Sequence, residues 1–113
     1  HFYRNFTPED YARLIGNAAC LIGNSSSGLR EGAFLGTPVV NIGTRQRNRE
    51  HGPNVVHAAY DRVEIEAKAR AQIAHGTYHC SPLFGDGSAG RRIAGILANA
   101  EISVQKRLTY GLE

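Results

Sequence analysis

The loop Gly23-Asn24-Ser25-Ser26-Ser27-Gly28 follows the apolar run Ala19-Cys20-Leu21-Ile22 and precedes a helix-like segment, Leu29 to Leu35. A loop so placed lies beyond the carboxyl end of a strand, where α/β sheets bind their ligands. Its small side chains let a ligand approach the backbone. Serine hydroxyls and the free N–H groups of a helix start can grip a phosphate. Glu31 falls in the first turn of that helix; a carboxylate is awkward beside phosphate but suits the hydroxyls of a ribose. The structural alternative is that Ser27 caps the helix and Glu31 complements its dipole. Arg45, Arg47 and Arg49 leave the end of the next strand on the same edge of the sheet. Arg45, nearest the strand end, is expected to reach a phosphate or a neighbouring acidic side chain, and the other two to be solvated.

Two other chemistries use residues of the same chain. The segment Gly23 to Ser27 comes one residue short of a G-x-S-x-G nucleophile elbow, with Asp61 and His75 or His79 as nominal triad partners. His75 and His79 are four apart and could share a helical face toward a metal, but Gly76 interrupts the pair and no third ligand is evident. No metal or cofactor is expected.

The elements that must position these residues alternate. Thr7-Pro8-Glu9 opens a helix with a hydroxyl cap, a proline at the first position and an acid facing the dipole. The run from Ala19 is expected as a parallel strand buried on both faces. After the stop at Gly36, Val39-Val40-Asn41-Ile42 reads as a second strand and Asn54-Val55-Val56-His57 as a third; Phe2-Tyr3 could add a fourth. Asp61-Arg62-Val63-Glu64 is an acidic capping box opening a helix to about Ala74. Gly85-Asp86-Gly87-Ser88 caps a last helix with Ile93, Ile96 and Leu97 on one stripe, and the tail from Glu101 extends that helix or frays. The order implies βαβ units: an α/β fold, a partial Rossmann-like three-layer domain with a parallel sheet of three or four strands.

At 113 residues the chain is expected to make a single incomplete domain, 1–113, and its lack of methionine is read as the mark of an excised piece. Thirteen Lys and Arg against ten Asp and Glu give +3, and eleven of the thirteen are arginine. That mild excess with 8% aromatics suits a small phosphorylated ligand and not a nucleic acid. No apolar run spans a bilayer, so no membrane partner is expected, and no charged-then-apolar leader is visible, so no secretory signal is expected. Two cysteines outside any CxxC pair suggest a reducing, cytoplasmic compartment.

On Asn24-Ser25-Ser26-Ser27-Gly28-Leu29-Arg30-Glu31, Gly36-Thr37-Pro38-Val39-Val40-Asn41-Ile42-Gly43-Thr44-Arg45-Gln46 and Gly85-Asp86-Gly87-Ser88-Ala89, the chain resembles the UDP-N-acetylglucosamine 2-epimerase family. The three blocks fall in order and run from about residue 5 to residue 98. The resemblance implies the later part of the UDP-binding domain of a two-Rossmann-domain, glycosyltransferase-type (GT-B-like) fold, with an N-terminal domain absent. It implies that UDP is held by Ser25, Ser26, Ser27, Gly28, Glu31 and Arg45, with Ser25 and Ser26 at the diphosphate and Glu31 at the ribose. It implies UDP-N-acetylglucosamine as substrate and a homo-oligomeric parent. The Asn-Ser-Ser-Ser-Gly and Gly-Thr-Arg-Gln blocks resemble the hydrolysing branch, which releases UDP and N-acetylmannosamine. The non-hydrolysing branch and a non-catalytic UDP-sugar-binding module are the alternatives. Leu83-Phe84 stands where the family usually has Pro-Tyr. The family's proposed acids and bases lie outside these residues, so no catalytic residue is assigned here and the piece is expected to be inert alone.

Overall fold

The computed structural model describes residues 1–101. Expectations for the tail beyond Glu101 lie outside the described residues. Helix α1 spans Pro8–Asn17; the Thr7 hydroxyl accepts from the Asp10 N–H at 3.2 Å, as the Thr-Pro-acid pattern predicts. Strand β1 is Leu21–Gly23, followed by α2, Ser26–Leu29, and α3, Glu31–Leu35. The single helix expected from Leu29 to Leu35 is therefore two. It begins three residues earlier and breaks at Arg30, whose ψ of −72° ends one helix and starts the next. Gly36 closes α3 in the left-handed region, φ 71°, with its N–H on the Gly32 carbonyl.

Strands β2, Val39–Ile42, and β3, Val55–Ala58, complete a three-stranded parallel sheet in the order β1-β2-β3. Leu21 pairs with Val39 and Val39 with Val55. No fourth strand forms from Phe2-Tyr3. Those residues are exposed coil with no strand partner among the described residues, and the Tyr3 ring lies tilted against that of Phe6, centroids 5.1 Å apart.

Helix α4, Arg62–His75, starts at Asp61, whose carboxylate accepts from the Glu64 N–H at 2.7 Å. Glu64 returns not to Asp61 but to the Ala59 N–H, 3.0 Å away. A 3-10 turn at Pro82–Phe84 leads to α5, Ala89–Asn99. All of α5 is exposed, its expected stripe Ile93, Ile96 and Leu97 included. Among the described residues no helix is long and apolar enough to cross a membrane.

The core forms on both faces of β2, because side chains alternate along a strand. Val39 packs with Leu29, Val55 and Leu21 on the α2 side. Val40 packs with Ala58, Ala69 and Ile65 on the α4 side. This is the three-layer α/β sandwich of a Rossmann-like domain. β1 departs from its expected double burial: Ile22 is half-exposed, since β1 pairs only with β2 among the described residues and stands at an edge.

Two buried amides lock the layers. Asn54 Nδ2 donates to the carbonyls of Thr37, 2.9 Å, and Gly28, 3.3 Å. Gln72 of α4 donates to those of Val39 and Asn54. Thr37 ties α1 in by donating to the Ile15 carbonyl at 3.0 Å.

Candidate functional site

The serine loop emerges at the carboxyl end of β1, and the structure gives its hydroxyls different tasks. Ser25, not Ser27, caps α2; its Oγ accepts from the Ser27 N–H. Ser25 Oγ and Ser27 Oγ are 2.9 Å apart, and Ser27 Oγ lies 2.9 Å from the Tyr11 hydroxyl of α1. Ser27 is buried within this chain of hydroxyls, whereas Ser25 is exposed and Ser26 half-buried. Gly28 packs on the sheet: a Cβ there would come 2.9 Å from both Leu21 Cδ2 and Val39 Cγ1. Its small size lets α2 lie flat on β1 and β2, which fixes where the serines project.

Glu31 opens α3 with an exposed side chain. It lines a cleft of about 450 Å³ with Arg30, Phe34, Phe84, Gly85 and Gly87. The Gly85–Ala89 block of the sequence thus comes to the same cleft as Glu31, with the Arg30 guanidinium 5.8 Å from the centre of the Phe84 ring. Asp86 is turned inward on its own segment. It accepts from the Ser88 hydroxyl, 2.5 Å, and N–H, 2.9 Å, and these bonds hold its carboxyl below the usual range.

The arginine loop after β2 closes a second cleft, about 640 Å³, at the carboxyl ends of β2 and β3. Arg47 and Arg49 line it, while Arg45 sits exposed in the turn outside both clefts. Gln46, which sequence reasoning passed over, is buried, and its Nε2 donates to the Asn24 carbonyl at 2.9 Å. It couples the arginine loop to the serine loop. The signal for it in the sequence is an uncharged amide set among Arg45, Arg47, Arg49 and Glu50.

The larger cleft also holds His51, His57, Tyr60 and Glu64. Burial, followed by the charges of His51, Lys68 and Arg47, lowers the His57 pKa below its ordinary 6.5. Lys68 donates to the His57 carbonyl and to Glu64, 2.6 Å, and this bond holds the Glu64 carboxyl low.

The nominal triad does not assemble. Asp61 caps α4, His75 ends that helix stacked 3.9 Å over Tyr78, and the hydroxyl partners of Ser25 and Ser27 are each other and Tyr11. His75 and His79 share no helical face, because α4 stops at His75 and His79 lies in coil. Among the described residues no group of three or more His, Cys, Asp and Glu converges as a metal site.

Fold and site together define a parallel α/β domain with small-residue and arginine loops along the carboxyl edge of its sheet, the arrangement of nucleotide-binding domains. The chain belongs to the UDP-N-acetylglucosamine 2-epimerase family, whose sequence profile matches residues 1–98. It is similar to a UDP-N-acetylglucosamine 2-epimerase of Neisseria meningitidis serogroup B, 31% identical over 105 residues, covering 88% of this chain and 28% of that protein. It is 30% identical over 105 residues to a hydrolyzing UDP-N,N'-diacetylbacillosamine 2-epimerase of Legionella pneumophila, covering 93% of this chain and 27% of that protein. Over 54 residues it is 41% identical to a hydrolyzing GDP/UDP-N,N'-diacetylbacillosamine 2-epimerase of Campylobacter jejuni, covering 48% of this chain and 14% of that protein. The chain therefore spans under a third of the length of these relatives.

Proposed function

We propose that this chain is the UDP-binding part of a hydrolysing UDP-sugar 2-epimerase, with UDP-N-acetylglucosamine as the substrate. The observation that carries the reading is the cleft beside the serine loop, where Glu31 meets the Gly85–Ala89 segment and two phenylalanines. An aromatic wall suits a uracil face, and a carboxylate at its rim suits the two hydroxyls of a ribose. Ser25 and Ser26, the accessible hydroxyls of the loop, then face the diphosphate, and Arg45, exposed in the turn after β2, is assigned to its charge. Two of the relatives named above carry the word hydrolyzing, which favours that branch.

In this reading UDP leaves C1 of the sugar as a proton leaves C2, giving a 2-acetamidoglucal, and water adds across the double bond to give N-acetylmannosamine. Negative charge grows on the departing diphosphate. Serine hydroxyls and an arginine fixed around it stabilise that charge more than they stabilise the bound sugar nucleotide. The proton transfers are assigned to parts of the parent protein beyond this chain, so the chain alone is proposed to be inert.

Calorimetric titration of UDP into the chain and its Glu31→Ala variant tests the site. The expected result is saturable binding that the variant loses. Equal affinity in both removes the ribose role, and no binding by the folded chain removes the loop as a self-sufficient nucleotide site.

A further inference from the structure

The larger cleft holds a pair of histidines that nucleotide binding leaves unused. His57 of β3 and His51 of the preceding loop bring their Nε2 atoms to 3.1 Å, with ring planes at 73°. The other nitrogen of each ring is engaged. His51 Nδ1 lies 3.0 Å from the Gly52 carbonyl, which accepts only from an Nδ1–H. The lone pair of His51 therefore sits on Nε2 and faces His57. His57 Nδ1 lies 2.9 Å from the side-chain amide of Asn41.

Asn41 is wholly buried, and its Oδ1 has no donor. Rotating that amide by half a turn exchanges its O and N and moves nothing else. Oδ1 then accepts from a His57 Nδ1–H while Nδ2 takes the position without a partner, so the flip leaves one amide atom unpaired as before and makes either His57 tautomer accessible. With both Nδ1 atoms protonated and bonded to oxygen, both Nε2 lone pairs point into one gap, an arrangement that a cation between them stabilises. Oxygen acceptors behind the rings are also what metal-ligating histidines use to fix tautomer and orientation.

We propose that His51 and His57 form a two-histidine site for a late first-row divalent cation of the zinc, cobalt or nickel class. Two nitrogens 3.1 Å apart, each about 2.05 Å from one ion, subtend about 98° at it, between octahedral and tetrahedral angles. Water fills the remaining positions, since both rings are exposed in an open cleft. Arg47 and Lys68 oppose the ion, but the Lys68 charge is already paired with Glu64 at 2.6 Å. Once bound, the ion ties the arginine loop to β3 and fixes Arg47 and Arg49 at the cleft rim.

The test uses the full chain, stripped with a chelator, and titrates Co²⁺ by its visible absorption and Zn²⁺ by calorimetry. One equivalent is expected to bind, with affinity reduced about tenfold or more in each of His51→Ala and His57→Ala. A His75→Ala/His79→Ala variant is expected to bind as the parent does. Nitrogen NMR is expected to show His57 moving from an Nε2–H tautomer, hydrogen-bonded to His51, to an Nδ1–H tautomer on metal addition. His57→Gln, which keeps an amide toward Asn41, guards against loss of fold in the alanine variant and is expected to lose the metal as well. Absence of saturable binding, or binding that survives both single histidine substitutions, overturns the proposal.

Discussion

Replacing Gln72 by leucine tests whether the buried amide network holds α4 on the sheet. Gln72 is 3% exposed; its Nε2 donates to the Val39 and Asn54 carbonyls at 2.8 and 2.9 Å, and its Oε1 accepts from the Tyr78 hydroxyl at 2.6 Å. Leucine keeps the approximate volume and removes all three bonds. Each buried neutral hydrogen bond contributes a net of about 1 kcal/mol, so about 3 kcal/mol is lost. The added apolar burial of leucine returns about 1 kcal/mol, leaving about 2 kcal/mol of destabilisation. For a domain of this size that lowers the midpoint of thermal unfolding by about 8 °C. Urea unfolding followed by circular dichroism reads the same loss as a lower midpoint at unchanged slope. Tyr78→Phe alone is expected to cost about 1 kcal/mol by stranding Oε1. The double variant should be about 1 kcal/mol less destabilised than the sum, because phenylalanine deletes the hydroxyl that leucine orphans. A Gln72→Leu chain as stable as the parent, or strictly additive single variants, would refute the network.

Three further predictions concern the turn at Gly36, the thiols and acid stability. Gly36→Ala combines a φ of 71° with a Cβ that would overlap the Tyr78 carbonyl, so a loss of about 2 kcal/mol or more is expected in urea unfolding; unchanged stability would contradict the packing of the Tyr78 segment on α3. Cys80 is exposed, whereas Cys20 is half-buried with its pKa raised by burial, so a maleimide at neutral pH should label Cys80 first; equal rates would place Cys20 in a more open setting. The folded-state pKa of His57 is lowered, so its contribution is present above the ordinary 6.5 and lost as pH falls through the folded value. Glu64 follows below its ordinary 4.5, its lowered pKa losing its contribution as the carboxylate protonates. With divalent ions chelated, the urea midpoint should drop between pH 7.5 and 5.5 and drop less in His57→Gln; a rise on acidification would reverse the sign assigned to His57.

By itself the sequence determined the features that act within a turn or a strand. Thr7-Pro8 and Asp61 through Glu64 start helices because their donors and acceptors lie within three residues. Val39-Val40 forms the central strand because both of its faces are apolar and β-branched. The serine loop and Glu31 are candidates for a ligand edge from sequence alone, since position after a strand is a local property, and the Gly85–Ser88 block reads locally as a helix start.

Tertiary structure decided what depends on partners distant in the chain. Ser27 turns from a cap into a buried link because Tyr11, from another helix, reaches its hydroxyl. Ile22 is half-exposed because double burial needs a neighbour on each side, and β1 has one among the described residues. Gln46 binds Asn24 across two loops, and His51 meets His57 only because the chain turns back between them. Register and loop path create those contacts, and neither is encoded by the types of the residues that make them.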